Sequence, residues 1–260
     1  MQNALLCGGC LVLCLAGSAS PQAAATKGVP SSPAPASPGN GASPAAHASA
    51  ALAPFTARYV AEWRNITVGT SELELKPDTD PGHYLYKWTI TARGIFRLVY
   101  SNDLTQQSWL RVIDDHVRPE RYLADQGESS VSLDFDWDAG HARGLSETKP
   151  VDLKLKPGAQ DLMSIQVEVM LDLQNGNLPA LINIVDKDEL KEFIYRNEGT
   201  ERIKTALGPL DTVIVSSRRA NNNRLLRMWF APALGYVPVQ AERTRDGKLE
   251  FAMRIKTLQR

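Results

Sequence analysis

Cysteine is almost missing from this chain of 260 residues. Its three cysteines, Cys7, Cys10 and Cys14, all lie in one apolar segment near the start. If that segment is removed, the rest of the chain can form no disulfide, thiolate nucleophile or thiolate metal site. A chain without thiols suits an oxidising compartment of the cell envelope.

The chain also has no excess of positive or negative charge. The 29 basic residues equal the 29 acidic ones, so the formal net charge is zero. Proteins that bind nucleic acids or anionic membranes usually carry a basic excess. We therefore expect no nucleic-acid partner.

Motifs for catalysis are also lacking. The histidines, His47, His83, His116 and His141, are never two or four residues apart, as the histidines of a zinc site often are. Ser164 is not part of a Gly-x-Ser-x-Gly nucleophile motif, and its position suits a helix cap better. We therefore expect no catalytic residue, no metal, no cofactor and no enzymatic activity.

Three alternating aspartates resemble the opening of a calcium loop. In such a loop a glycine and a glutamate follow Asp134, Asp136 and Asp138 at fixed places, where this chain has Ala139 and Leu145. Apolar residues alternate with these aspartates. The pattern therefore predicts the solvated face of a strand, with basic side chains opposite on neighbouring strands.

The start of the chain has the features of a signal peptide. The uncharged apolar stretch Ala4 to Ala19 ends in small residues, which predicts a signal peptide over residues 1–20. No Lys or Arg precedes it, so the terminal amine supplies the charge or translation starts upstream. We expect a periplasmic or secreted protein. Lipidation at Cys10 or Cys14 and an uncleaved anchor are the less favoured alternatives.

Residues 21–54 are almost entirely Ala, Pro, Ser and Gly, and Lys27 is their only charged residue. Such a segment cannot bury a core, which predicts a disordered tether. A tether of this kind allows the folded part of the chain to lie close to a membrane.

Residues 55–260 follow the two-residue period of β-structure. Leu249, Phe251, Met253 and Ile255 alternate with polar residues, as in a strand with one buried face. No linker interrupts this region, which predicts a single β-rich domain. The expected fold is mainly β: an antiparallel barrel-like or strongly curved sheet with one flanking α-helix at about 160–175.

That helix is predicted by a change of period. Leu162, Ile165, Val169 and Leu173 share one helical face, and Asp161 stands near the start as a capping residue. Asn175-Gly176 closes the end. An amphipathic helix in an antiparallel chain usually covers a barrel or curved sheet.

Several short motifs resemble those of a family of exported bacterial proteins, the domain of unknown function DUF3108. They are Phe55-Thr56-Ala57-Arg58-Tyr59, Val68-Gly69, Phe135-Asp136-Trp137, Asp161-Leu162-Met163-Ser164, Gly208-Pro209-Leu210-Asp211-Thr212, Met228-Trp229-Phe230-Ala231 and Tyr236-Val237-Pro238-Val239. The resemblance covers nearly all of residues 55–260. It implies an envelope protein with a barrel-like β fold, and it supplies no catalytic residues.

Two functions stay open. The first is a non-catalytic envelope binding module that holds an apolar or lipid-like ligand inside the sheet. The residues predicted to line its cavity are Tyr84, Tyr86, Trp88, Leu162, Ile165 and Val169. The second is a structural or assembly factor with a packed core, which contacts another envelope protein. The size of the interior cavity distinguishes the two.

A basic cluster is a further candidate. Arg218, Arg219, Arg224 and Arg227 surround the polar loop at residues 221–223. They could receive an anionic group or a carboxylate of a partner. The alternative is that these charges protect a strand edge from aggregation.

Overall fold

The computed structural model describes residues 52–98, 101–125, 129–220 and 222–260. The predicted signal peptide and nearly all of the predicted tether lie outside these residues. The strands are β1 Phe55–Trp63, β2 Ile66–Pro77, β3 His83–Ala92, β4 Leu104–Ile113, β5 His116–Asp125, β6 Ser130–Asp136, β7 His141–Ser146, β8 Lys149–Lys154, β9 Gln160–Asp161, β10 Leu181–Asp186, β11 Glu189–Thr205, β12 Gly208–Arg219, β13 Arg224–Ala231, β14 Val237–Arg245 and β15 Lys248–Gln259. The helix α1 spans Ser164–Asn175, and short 3₁₀ helices span Gly94–Leu98 and Pro232–Leu234.

All fifteen strands belong to one sheet. Its order is β8-β7-β6-β5-β4-β3-β2-β1-β15-β14-β13-β12-β11-β10-β9, so most strands pair with their neighbours along the chain. Every pairing is antiparallel except that of the short β9 with β10. The edge strands β8 and β9 do not pair with each other, so the sheet is curved and open. The predicted class is confirmed in its curved-sheet form.

Strand β6 has one buried apolar face and one solvated acidic face, as predicted. Val131, Leu133 and Phe135 are buried, whereas Asp134 and Asp136 are exposed. Arg121 on β5 and Arg143 on β7 are the cross-strand partners of Asp134. The expected basic residues opposite the aspartates are therefore present.

Two stretches differ from what their sequence pattern predicts. The pattern predicts no strand at β7, because only Ala142 and Ser146 are buried along it and its apolar alternation is weak. A side chain at Gly144 would collide with the Ser132 carbonyl oxygen, which explains the glycine there. The pattern predicts a strand from Leu98 to Ile113, but the strand starts only at Leu104, because Gly94–Leu98 forms a 3₁₀ helix with Leu98 exposed.

The helix differs from the prediction in its start and its surroundings. It begins four residues later than expected, since Gln160 and Asp161 form β9. It ends as predicted, with Gly176 in the left-handed conformation at φ 70°. All residues from Ser164 to Leu173 are buried. The helix therefore packs against the inside of the curved sheet, as predicted, and its residues from Ser164 to Leu173 have no solvent face.

The curl of the sheet brings its edge strand β9 to the opposite wall. Gln160 of β9 donates a hydrogen bond from Nε2 to the carbonyl oxygen of Val117 on β5, at 2.8 Å. The sheet is thus closed around the helix by side-chain contacts and not by strand pairing. Within the described ranges, no helix is long and apolar enough to cross a membrane.

Candidate functional site

Asp161 holds the start of the helix. Its Oδ1 accepts hydrogen bonds from the backbone N–H groups of Met163 and Ser164, at 2.7 and 2.8 Å. Its Oδ2 accepts one from the Ser108 hydroxyl at 2.6 Å, and the Ser164 hydroxyl accepts one from the Asp161 N–H at 2.9 Å. Asp161 is fully buried, and this desolvation raises its pKa to about 6. The structure therefore gives Ser164 and Asp161 the predicted capping role.

The residues predicted to line a ligand cavity all contact the interior. Leu162, Ile165 and Val169 line an apolar cavity between α1 and strands β10 to β13. Trp88 borders a second, smaller void, while the buried Tyr86 donates a hydrogen bond to Gln166 at 3.2 Å. Tyr84 is half-buried at the margin of the core. The structure brings Leu162 and the helix residues Ile165 and Val169 into one cavity and separates them from the three aromatic residues.

The volume of these voids is small. The cavity beside Leu162, Ile165 and Val169 measures about 40 Å³, and the void beside Trp88 about 10 Å³. Ligand pockets usually measure roughly 300–1,000 Å³. The interior around these predicted residues is therefore close to packed.

Two tryptophans lie at different depths. Trp229 is buried in the core between the cavity-lining Met228 and Phe230, and its Nε1 donates to Glu201 at 2.8 Å. Trp137 is only half-buried, and its Nε1 donates to the Pro119 carbonyl oxygen at 2.7 Å. The alternation of Leu133, Phe135 and Trp137 with polar residues predicts that Trp137 is a core residue, and this prediction is wrong.

An acidic cluster lies at the other side of the helix. Glu168 and Asp172 are 8% and 4% exposed although both are acidic. Glu168 accepts a hydrogen bond from the Val117 N–H, and its Oε1 lies 3.0 Å from His116 Nδ1. The hydrogen bond to Glu168 raises the pKa of His116. Burial, assisted by the Glu168 charge, raises the pKa of Asp172 to about 7.

A polar cleft opens on the outer face of β11, β12 and β13. It measures about 310 Å³ and is lined by arginines, amides, a hydroxyl, one carboxylate and two aliphatic side chains. We call it the arginine cleft, and its lining residues are Ile194, Arg196, Glu198, Ser216, Arg218, Asn222, Asn223, Arg224 and Leu225.

The charged side chains of the arginine cleft differ in whether they already have a partner. Glu198 is already engaged, since its Oε2 lies 2.6 Å from Arg227 Nε. Arg196 and Arg218 are exposed, and neither side chain has an ion pair within the described part of the chain. Two of the four predicted basic residues, Arg218 and Arg224, line the cleft, and Arg227 binds its one carboxylate.

Comparison with protein families gives a single clear result. The profile of DUF3108, described as a protein of unknown function, matches residues 58–254. This chain belongs to the DUF3108 family. A search of curated proteins finds no match.

Two solved structures resemble this DUF3108 protein loosely. One is from Bacteroides fragilis and is described as a "putative exported protein with YmcC-like fold". The two sequences are 10% identical. The structural match covers 79% of this chain and 95% of the Bacteroides fragilis chain, with a TM-score of 0.38. The other, a "putative lipoprotein" from Parabacteroides distasonis, is 10% identical, covers 80% and 96%, and has a TM-score of 0.33.

Two of the DUF3108-like motifs have a visible structural role here. A side chain at Gly69 would collide with the carbonyl oxygen of Thr91, so only glycine allows β2 and β3 to approach there. The Asp161 to Ser164 motif supplies the reciprocal hydrogen bonds at the start of α1. Both motifs therefore serve the fold.

Sequence reasoning missed the acidic cluster on the helix. The four-residue spacing of Glu168 and Asp172 was a usable signal, because it places both carboxylates on one helical face. It was overlooked because that face was expected to meet solvent. The third member, His116, is the first residue of β5, and no local pattern connects it to the helix.

Proposed function

We propose that this protein is a non-catalytic binding module of the cell envelope that recognises an acidic segment of a partner protein in the arginine cleft. The location is supported by the signal-peptide pattern of residues 1–20. The observation that carries the proposal is the cleft itself, about 310 Å³ in volume with Arg196 and Arg218 exposed at its margin.

The chemistry of the cleft fits carboxylates on an extended peptide. Guanidinium groups bind carboxylates through two parallel hydrogen bonds, which gives both strength and direction. Asn222 and Asn223 add amide groups at one end. Ile194 and Leu225 add apolar surface for the side chains between the acidic ones.

The interior supports an apolar ligand less well. A cavity of about 40 Å³ is far smaller than usual ligand pockets, at roughly 300–1,000 Å³. Of the two functions expected from the sequence, the packed core favours the one that acts through contacts with another envelope protein. We therefore expect no saturable uptake from a panel of fatty acids.

The test is a binding titration by fluorescence anisotropy. A labelled peptide of alternating Glu and Val should bind, and binding should weaken with salt because the contacts are ionic. The double substitution Arg196→Gln with Arg218→Gln should weaken binding at least tenfold. The same peptide with Gln in place of Glu is the uncharged control.

A matched substitution controls for loss of positive charge. Arg202 lies on the same strand as Arg196 but is paired with Asp211 at 2.8 Å, outside the cleft. Arg202→Gln should leave the affinity unchanged. If Arg202→Gln weakens peptide binding as much as the double substitution does, or if the peptide does not bind at all, the proposal is contradicted. Binding only to phosphatidylglycerol vesicles would identify a lipid surface instead of a protein.

A further inference from the structure

The acidic cluster combines three potential ligand groups from two elements. Glu168 and Asp172 lie one turn apart on the same face of α1. Asp114 and Asp115, with φ of 50° and 62°, form the tight turn that delivers His116 to this face. One side-chain atom from each of His116, Glu168 and Asp172 lies within 4.8 Å of the other two. A single ion could therefore contact all three.

One member of the cluster lacks a partner. Asp172 is 4% exposed, and its Oδ2 has no hydrogen bond. Within the described part of the chain, no Lys or Arg pairs with Glu168 or Asp172. Buried charges in proteins are normally paired, hydrogen-bonded or bound to a metal, because an isolated one is costly. The carboxylate of Asp172 is therefore unexplained by the protein alone.

We propose that His116, Glu168 and Asp172 bind a divalent first-row transition metal, with zinc as the expected ion. Zinc binds imidazole nitrogens and carboxylate oxygens, and a site with three protein ligands leaves a fourth position for water. Calcium prefers six to eight oxygen ligands and is a poorer match. The side chain of His116 is 68% exposed, which provides a path for the ion and space for a water ligand.

A purely structural role explains Glu168 but not Asp172. Glu168 caps the start of β5 by accepting from the Val117 N–H, and it also meets His116. Nothing in that arrangement needs a second buried carboxylate one turn further along the helix. A metal ion in place of the proton between His116 and Glu168 would use Asp172 as well. It would also tie the helix to the turn between β4 and β5.

The experiment is a calorimetric titration of the metal-free full chain with Zn²⁺. Cys7, Cys10 and Cys14 are replaced by Ser in every variant, so that no thiolate competes for zinc. We expect one equivalent to bind and the Tm to rise with it. Asp172→Asn and His116→Gln should each weaken binding at least tenfold and abolish the rise in Tm.

His141 offers a matched control. It pairs with Asp152, as His116 pairs with Glu168, but Asp152 is exposed and His141 belongs to no group of three ligand residues in the described structure. His141→Gln should leave zinc affinity unchanged. Asp172→Asn removes an unpartnered buried charge and should fold at least as well as the parent, which circular dichroism checks.

Two results would overturn the proposal. One is the absence of saturable binding at one equivalent, and the other is binding that survives both Asp172→Asn and His116→Gln. If Asp172→Asn does not fold, His116→Gln at an exposed residue decides the question. The site is separate from the arginine cleft on β11 to β13, so either proposal can fail without the other.

Discussion

The two sides of the helix α1 are held in different ways. Toward β3, β4 and β5, directional hydrogen bonds fix it through Asp161 to Ser108, Gln166 to Tyr86 and Glu168 to Val117. Toward β10 to β13, Ile165 and Val169 meet apolar side chains across a void of about 40 Å³. The first side specifies one position of the helix, whereas the second side excludes water and tolerates changes of shape. The free energies of unfolding of variants on the two sides should therefore respond differently.

The largest expected effect is on the hydrogen-bonded side. Asp161→Ala leaves the Ser108 hydroxyl and the Met163 and Ser164 N–H groups without their acceptor. We expect it to lower the free energy of unfolding by about 3–5 kcal/mol, since each buried polar group left alone costs roughly 1–3 kcal/mol. Urea denaturation measures the loss. Asp138→Ala, at an exposed position, should change it by less than about 0.5 kcal/mol.

Shortening a side chain on the apolar side should cost less. Ile165→Ala enlarges the existing void, and we expect a loss of about 2–4 kcal/mol, within the usual range for such truncations. The same urea experiment measures it. A loss larger than that of Asp161→Ala would mean that the apolar side, and not the hydrogen-bonded one, dominates.

The free energy of unfolding should depend on pH through Asp161. Its folded pKa of about 6 lies above the unfolded value of roughly 3.9, so the native state holds the proton more tightly. The contribution of Asp161 to stability is therefore present below about pH 4 and falls by roughly 2–3 kcal/mol as pH rises to 6. The difference in unfolding free energy between the parent and Asp161→Asn, measured from pH 4 to 7, should show this slope. A flat difference would contradict it.

The smallest effects compare two valines of the same helix. Val169 lines the void, so Val169→Ile should fill it and stabilise the protein by up to about 0.8 kcal/mol. Val167 is fully buried and lines neither void, so Val167→Ile should overpack and cost about 1–3 kcal/mol. Thermal unfolding of both variants checks the sign. If both substitutions changed the stability equally, the proposed difference between the two sides of the helix would be wrong.

The sequence was sufficient for most of the sheet because alternation and turn residues act locally. The Asp246-Gly247 pair predicts a two-residue hairpin turn, and it forms one, with both residues at positive φ, 51° and 74°. Alternation predicts separate strands at 190–197 and 201–205, but they form one strand, β11, with a bulge between Asn197 and Gly199. A bulge interrupts the pattern without ending the strand.

The candidate sites were less predictable because they depend on how distant segments meet. The burial of Glu168 and Asp172 follows from the curl of the sheet around α1, and helical periodicity alone favours solvent for charged residues. The sequence did not predict that Arg196 and Arg218 line the same cleft, because they become neighbours only through the pairing of β11 with β12. Local patterns identify which residues are unusual, and the topology decides which of them meet.

The pairing of β1 with β15 has a consequence for the order of folding. These are the first and last strands of the sheet, and they lie side by side at its centre, with Thr56 opposite Gln259. The meander of β2 to β8 and that of β10 to β14 can each form from contacts between near neighbours in the chain. The two meanders join only when β15 reaches β1. During synthesis β1 therefore keeps one edge unpaired until β15 has been made, and such an edge can mispair with other chains.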